Sequence, residues 1–158
     1  MIKVNVKGER RLYAAIDTLV RDVSDFRRHW RRHIDIRHRY QKQWLDSRGG
    51  GTWPKLTDLY LERKRHDPRA VFLEILQLTG HLYRSLIGRG SDAVVEEGPT
   101  SLTIGSSDPK ARWHHEGRGR LPVRRVISIS DEEQREHQAA MFESLADIAR
   151  RAEFKVVA

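Results

Sequence analysis

Between Glu9 and Asp46 the apolar residues Leu12, Ile16, Leu19, Val23, Phe26, Trp30, Ile34, Tyr40 and Trp44 recur mostly three or four positions apart. That is the period of one face of an α-helix, so the stretch predicts one long amphipathic helix, or two with a bend. Gly49, Gly50 and Gly51 end the pattern, because three residues without a Cβ lose too much backbone entropy to stay helical. A flexible loop is expected there.

Other periods flank this segment. Ile2, Val4 and Val6 alternate with polar residues up to Gly8, which reads as a short edge strand. Thr57 to Arg65 is compatible with a helix. Asp67-Pro68 reads as an N-cap followed by proline in the first turn, opening a helix through Val71, Phe72, Ile75, Leu76 and Leu78. His81 to Ile87 supplies a further helical turn or two. Ala93–Glu97 and Ser101–Ser106 flank Gly98-Pro99-Thr100 and predict a β-hairpin with Leu102 and Ile104 facing inward, ended by Asp108-Pro109.

Val126, Ile127 and Ile129 suit a strand or extended segment. Ser130-Asp131-Glu132-Glu133 then forms a capping-box signature, with the Ser130 oxygen accepting from the Glu133 amide and Glu133 reaching back. The helix that follows should bury His137, Met141, Leu145, Ile148 and Ala152 and run to about Arg151. Together these elements predict one α+β domain over residues 1–158, in which a long N-terminal amphipathic helix and a C-terminal helix pack on a small, mostly antiparallel sheet.

The chain has no cysteine, so disulfides and thiolate metal sites are excluded and packing must hold the fold. Lys and Arg exceed Asp and Glu by 30 to 22, a formal charge of +8, which favours anionic partners such as nucleic acid or an acidic protein surface. MIKVNVKGERR lacks the apolar run of a signal peptide, and no stretch approaches the roughly 20 apolar residues of a membrane span. The expectation is a protein of the cytoplasm, or one assembled there, with no membrane partner.

Three groups of residues invite a chemical reading. FRRHWRRHIDIRHRYQK, Phe26 to Lys42, holds seven Lys or Arg residues and three histidines. Arg27, Arg28, Arg31 and Arg32 are the candidates to face DNA phosphates, although the aromatic residues fall on the apolar stripe, where they suit a core better than base stacking. His29, His33 and His38 have helical spacing for a metal, but Trp30 stands where a zinc protease places glutamate, and the crowded arginines repel a cation. His114, His115 and Glu116 could serve acid–base chemistry. Adjacent histidines point in different directions, so one should be buried and the other exposed. The sequence shows no phosphate loop, no GxSxG elbow and no paired acidic motif, so no catalytic residue, metal or cofactor is expected.

The order of several short motifs carries a family resemblance. Gly51-Thr52-Trp53-Pro54-Lys55-Leu56, followed by Thr57, Tyr60 and Lys64, resembles the "G..W..L...T...K" segment of phage virion morphogenesis proteins, the tail completion and neck family. Ile75-Leu76-Gln77-Leu78-Thr79-Gly80-His81-Leu82 with Ser85-Leu86 is similar to its "L..tG.L..S" segment, and Ile104-Gly105-Ser106 to its "vGs". WHHEGRGRLPVRRVISIS, starting at Trp113, sits where the family has "YA..HqfG", a variable loop and "iPaR.flglsd". Ala111-Arg112-Trp113 and Val123 depart from that pattern.

The resemblance implies a non-enzymatic virion protein, assembled in the host cytoplasm, that finishes the tail or joins head to tail. It also implies a homo-oligomeric ring, six-fold on a tail tube, touching the connector, the tail terminator or the tube, with DNA in its channel. On that reading Arg112, Trp113, His115, Arg118, Arg120, Arg124 and Arg125 form a corner that meets a partner. Arg124→Ala should then spare the isolated fold and harm assembly. The alternatives are a basic accessory DNA-binding protein using helix 25–42, and a hydrolase built on His114, His115 and Glu116.

Overall fold

The computed structural model describes the backbone of residues 9–157 and the side chains of residues 13–152; the strand expected over Ile2, Val4 and Val6 lies outside the described residues. The fold is α+β. The long N-terminal segment is two helices, α1 (Glu9–Ser24) and α2 (Arg27–Asp46). No proline or glycine causes the break. The Phe26 amide leaves the helical ladder and donates to the Pro99 carbonyl at 2.7 Å, and Trp30 Nε1 donates to the neighbouring Gly98 carbonyl at 2.7 Å. Asp25 closes the bend by accepting from the amide and the guanidinium of Arg27. A distant hairpin turn therefore decides where the helix bends.

That hairpin pairs β1 (Ala93–Glu97) with β2 (Leu102–Ser106), antiparallel, with Val95 opposite Ile104. Leu102 and Ile104 face inward as expected and pack on a core of Phe26, Trp30, Ile34 and Ile148. A second core gathers Leu45, Trp53, Ile75, Leu82, Leu86 and Val126. It joins α2 to the short helix α4 (His81–Leu86) and, through Ala111, to α5 (Pro109–Glu116); a further short helix, α3 (Asp58–Arg65), begins just after Leu56, which packs on the same core.

The glycine run is an ordered turn. Arg48, Gly49, Gly50 and Gly51 all have positive φ, and Gly49 lies against Trp53 so closely that a Cβ there would stand 2.2 Å from its indole nitrogen. Glycine is required by the tryptophan.

Asp67-Pro68 opens no helix. The Asp67 carboxylate accepts from the Arg69 amide at 2.9 Å and from its guanidinium, which spends the capping oxygens on a tight turn. The segment then folds back, Val71 N donating to Leu78 O at 2.8 Å. Asp108-Pro109 does open a helix, α5, which sequence reading missed. Asp108 accepts from the Lys110 amide at 2.9 Å, and Gly117, in the left-handed region, closes the helix.

The final helix, α6, covers Asp131–Val157 and so passes beyond Arg151. Ser130 caps it by accepting from Glu133 N at 3.1 Å. Glu133 does not reach back, because its carboxylate pairs with Arg37 of α2. The buried stripe is Glu133, Ala140, Ser144, Ile148 and Ala152, whereas His137 and Met141 are half-buried and Leu145 is exposed. The expected face was displaced because α2 offers α6 polar partners as well as apolar ones.

On α1, Ala15 and Thr18 are buried, while Tyr13, Ile16, Val20 and Val23 are between 43% and 60% exposed. The stripe through Ile16, Leu19 and Val23 that periodicity assigned to the core is therefore outward, since small residues give the closer approach to α6. Among the described residues no helix is long and apolar enough to cross a membrane.

Candidate binding pocket

The Trp113 to Arg125 stretch spans the end of α5, a loop, and the start of an extended strap. Residues 124–128 form no sheet, so their backbone groups need other partners. Gln41 donates to the Val126 carbonyl at 2.6 Å and Arg37 to that of Ser128 at 3.0 Å. Two indoles, Trp44 and Trp53, donate to the Arg125 carbonyl. Arg124 N donates to His114 O at 2.8 Å. The strap is an extended segment, as its apolar residues suggested, but side chains of α2 replace the missing strand.

Against this strap opens a pocket of about 530 Å³, within the ordinary range for ligand sites. Thr57, Tyr60 and Lys64 line it from α3 and its cap, Leu78, Thr79 and Gly80 from the loop before α4, and Pro122 and Arg124 from the strap. Segments far apart in sequence, each part of a motif quoted above, thus meet in one place. Apolar groups come from Leu56, Leu76, Leu82 and Leu121, and charge from Lys55, Lys64, Arg69, Lys110, Arg120 and Arg124. No Asp or Glu is among the lining residues.

Two of these cations are buried. Lys64 is 3% exposed and donates to the Glu74 carbonyl; burial pulls its ammonium below the ordinary lysine range. Arg124 is 5% exposed and donates through Nε and Nη2 to the Pro54 carbonyl at 3.3 and 3.0 Å. Both acceptors are neutral. His114 lines the same pocket, with Nδ1 buried and unpartnered among the described residues. Burial first, and the nearby Arg124 second, lower its affinity for a proton.

Of the seven residues expected to form a partner-binding corner, Arg120 and Arg124 enter the pocket. Arg124 is no exposed contact residue but a buried one, and its loss would also remove its bonds to the Pro54 carbonyl. Arg112 pairs with Glu116 at 2.7 Å, away from the pocket. Trp113, Arg118 and Arg125 are exposed and His115 is half-buried. His114 and His115 are both half-buried, rather than one in and one out. With Glu116 held by Arg112, the acid–base trio does not converge.

The four arginines considered for DNA each face a carboxylate. Arg27 meets Asp25, Arg28 meets Asp22 at 3.8 Å, Arg31 meets Asp35 at 3.5 Å and Arg32 meets Glu143. The three histidines of α2 do not meet. His33 stacks on His137 with Nδ1 atoms 2.9 Å apart, His38 lies against Gly88, and His29 against Phe26.

A cluster that sequence reading missed is His81, Asp92 and Asp108, with one ligand atom from each within 4.8 Å of the others. Its imidazole places Nδ1 3.4 Å from Asp108 and Nε2 3.5 Å from Asp92. Each nitrogen of the ring faces a different carboxylate, so as placed His81 brackets α4, the hairpin and α5. Lys64 was visible only as one position of a motif, and nothing local marked it as buried. In comparisons with known proteins, the chain matches no family model, no curated protein and no solved structure.

Proposed function

We propose that this chain is a non-enzymatic assembly subunit of the phage neck or tail completion class, working as a homo-oligomeric ring in the virion. The single observation that supports it most is convergence. Three of the four quoted motifs, separated by up to 70 positions between Pro54 and Arg124, come together around one recess and are tied there by the Arg124 to Pro54 contact, while Ile104-Gly105-Ser106 lies in β2 outside it. A pocket equipped with cations and leucines, with no carboxylate in its wall, suits holding a partner better than acid–base chemistry.

The outward face of α1 supports the ring. Tyr13 and Val20 are each 60% exposed, and Ile16 and Val23 lie beside them on the helix; apolar patches of this kind mark protein contacts. In a ring each copy shows two different faces to its neighbours, and a second copy is the occupant proposed for this one. The DNA-binding alternative has weaker support, because its arginines are already paired.

The test is native mass spectrometry of the purified full chain, alone and as Val20→Asp. A closed oligomer that the substitution reduces to monomer is the expected result. A chain that stays monomeric at every concentration overturns the ring.

A further inference from the structure

We propose that the pocket beside the strap docks an acidic, leucine-rich peptide segment of a partner protein, whose carboxylates reach Lys64 and Arg124. The occupant's being a protein segment rests on the assembly reading above; the pocket's demand for an anion does not.

That demand follows from donor counting. An ammonium has three N–H donors and a guanidinium five. Lys64 uses one on the Glu74 carbonyl, and Arg124 uses two on the Pro54 carbonyl. Both side chains are more than nine-tenths buried, and no carboxylate pairs with either among the described residues. The Glu74 carboxylate favours the Lys64 charge only from beyond ion-pair distance, and a buried charge without a direct counter-ion is strongly unfavourable, so an arriving carboxylate would satisfy donors and charge together. By contrast, Arg37, whose side chain is 11% exposed, meets the buried Glu133 at 2.6 Å. The same chain neutralises this largely covered arginine and leaves Arg124 open toward a recess.

Lys55, Lys110 and Arg120 are exposed at the same pocket and extend the positive field outward, where it would steer an acidic segment. The buried Leu82 and the half-buried Leu56, Leu76 and Leu78 supply apolar contact. A carboxylate on a flexible apolar peptide can enter such a recess. The phosphates of a duplex, fixed on the outside of a wide rod, would meet the rim and leave the inner cations bare.

The experiment is fluorescence anisotropy on the full chain, using a labelled, end-blocked peptide of alternating leucine and glutamate. The same peptide with lysine for glutamate and a labelled oligonucleotide serve as controls. Lys110→Glu and Arg120→Glu alter exposed positions at the pocket, Arg31→Glu alters α2, and circular dichroism checks that each variant is folded. Expected is saturable binding of the acidic peptide, weakened about tenfold by either pocket variant and unchanged by Arg31→Glu.

Absence of saturable binding, equal binding of the lysine peptide, or an equal loss with Arg31→Glu overturns the proposal. Displacement of the peptide by the oligonucleotide also overturns it and assigns the pocket to nucleic acid. Rings without peptide binding would remove the pocket proposal alone, and peptide binding by a monomer would remove the ring alone.

Discussion

The basic face of α2 and the pocket beside the strap are both rich in Arg or Lys, yet they dispose of charge in opposite ways. On α2 each candidate arginine is exposed and has a carboxylate nearby, and Arg32 in turn holds the Glu143 carboxyl below its usual range. In the pocket, Lys64 and Arg124 are buried and meet only carbonyl oxygens. A run of basic residues in a sequence is therefore a poor guide to where positive charge is available. What matters is whether the folded chain brings a carboxylate to it.

Substitutions on both sides of this contrast have different expected costs. The largest effect is expected from Glu133→Ala. It leaves the largely covered Arg37 without its buried counter-ion, and removing one member of a buried pair costs about 3 to 5 kcal/mol. Chemical denaturation measures it, and a loss under 1 kcal/mol would place Arg37 among the solvated arginines.

Lys64→Met should do the reverse. Because Lys64 has no directly paired carboxylate to lose and burial outweighs the longer-range pull of Glu74, the variant should unfold within about 1 kcal/mol of the parent or be more stable, while acidic-peptide binding falls. A loss of several kcal/mol would make the Lys64 contact to Glu74 structural.

Gly49→Ala should destabilise by about 1 to 3 kcal/mol, since it forces a side chain into positive φ against the Trp53 indole. A parent-like melting temperature would show that Trp53 can move.

A pH series tests burial itself. His29, His33, His38 and His114 are each held below their ordinary proton affinity, chiefly by burial. Protons then favour the unfolded chain, in which histidine titrates near about 6.5. Stability should be full above that pH and decline as the pH drops through and below it, levelling once the folded chain also protonates. Flat stability between pH 7 and 5 would contradict the burial of these rings. The smallest effect belongs to Arg31→Ala, within about 0.5 kcal/mol of the parent because its pair with Asp35 is exposed.

Much of the fold was legible because its signals are local. Period, hairpin and Ser130 cap place α2, the β1–β2 pair and the start of α6 from near neighbours alone. Asp67-Pro68 and Asp108-Pro109 look alike in sequence, yet the first closes a turn and the second begins α5. A short capping signal specifies a hydrogen bond to a nearby amide, and both structures satisfy it.

What the sequence determined by itself is the α+β character, the helical and hairpin periods, the absence of thiol chemistry and the excess of positive charge. Tertiary structure alone decided the bend at Phe26, the outward apolar face of α1, the burial of Lys64 and Arg124, and which arginines are neutralised. The reason is range. Helical period and turn chemistry act over a few residues, whereas burial and ion pairing depend on groups such as Pro99, Pro54 and Glu133 that are distant in the chain and meet only when it folds.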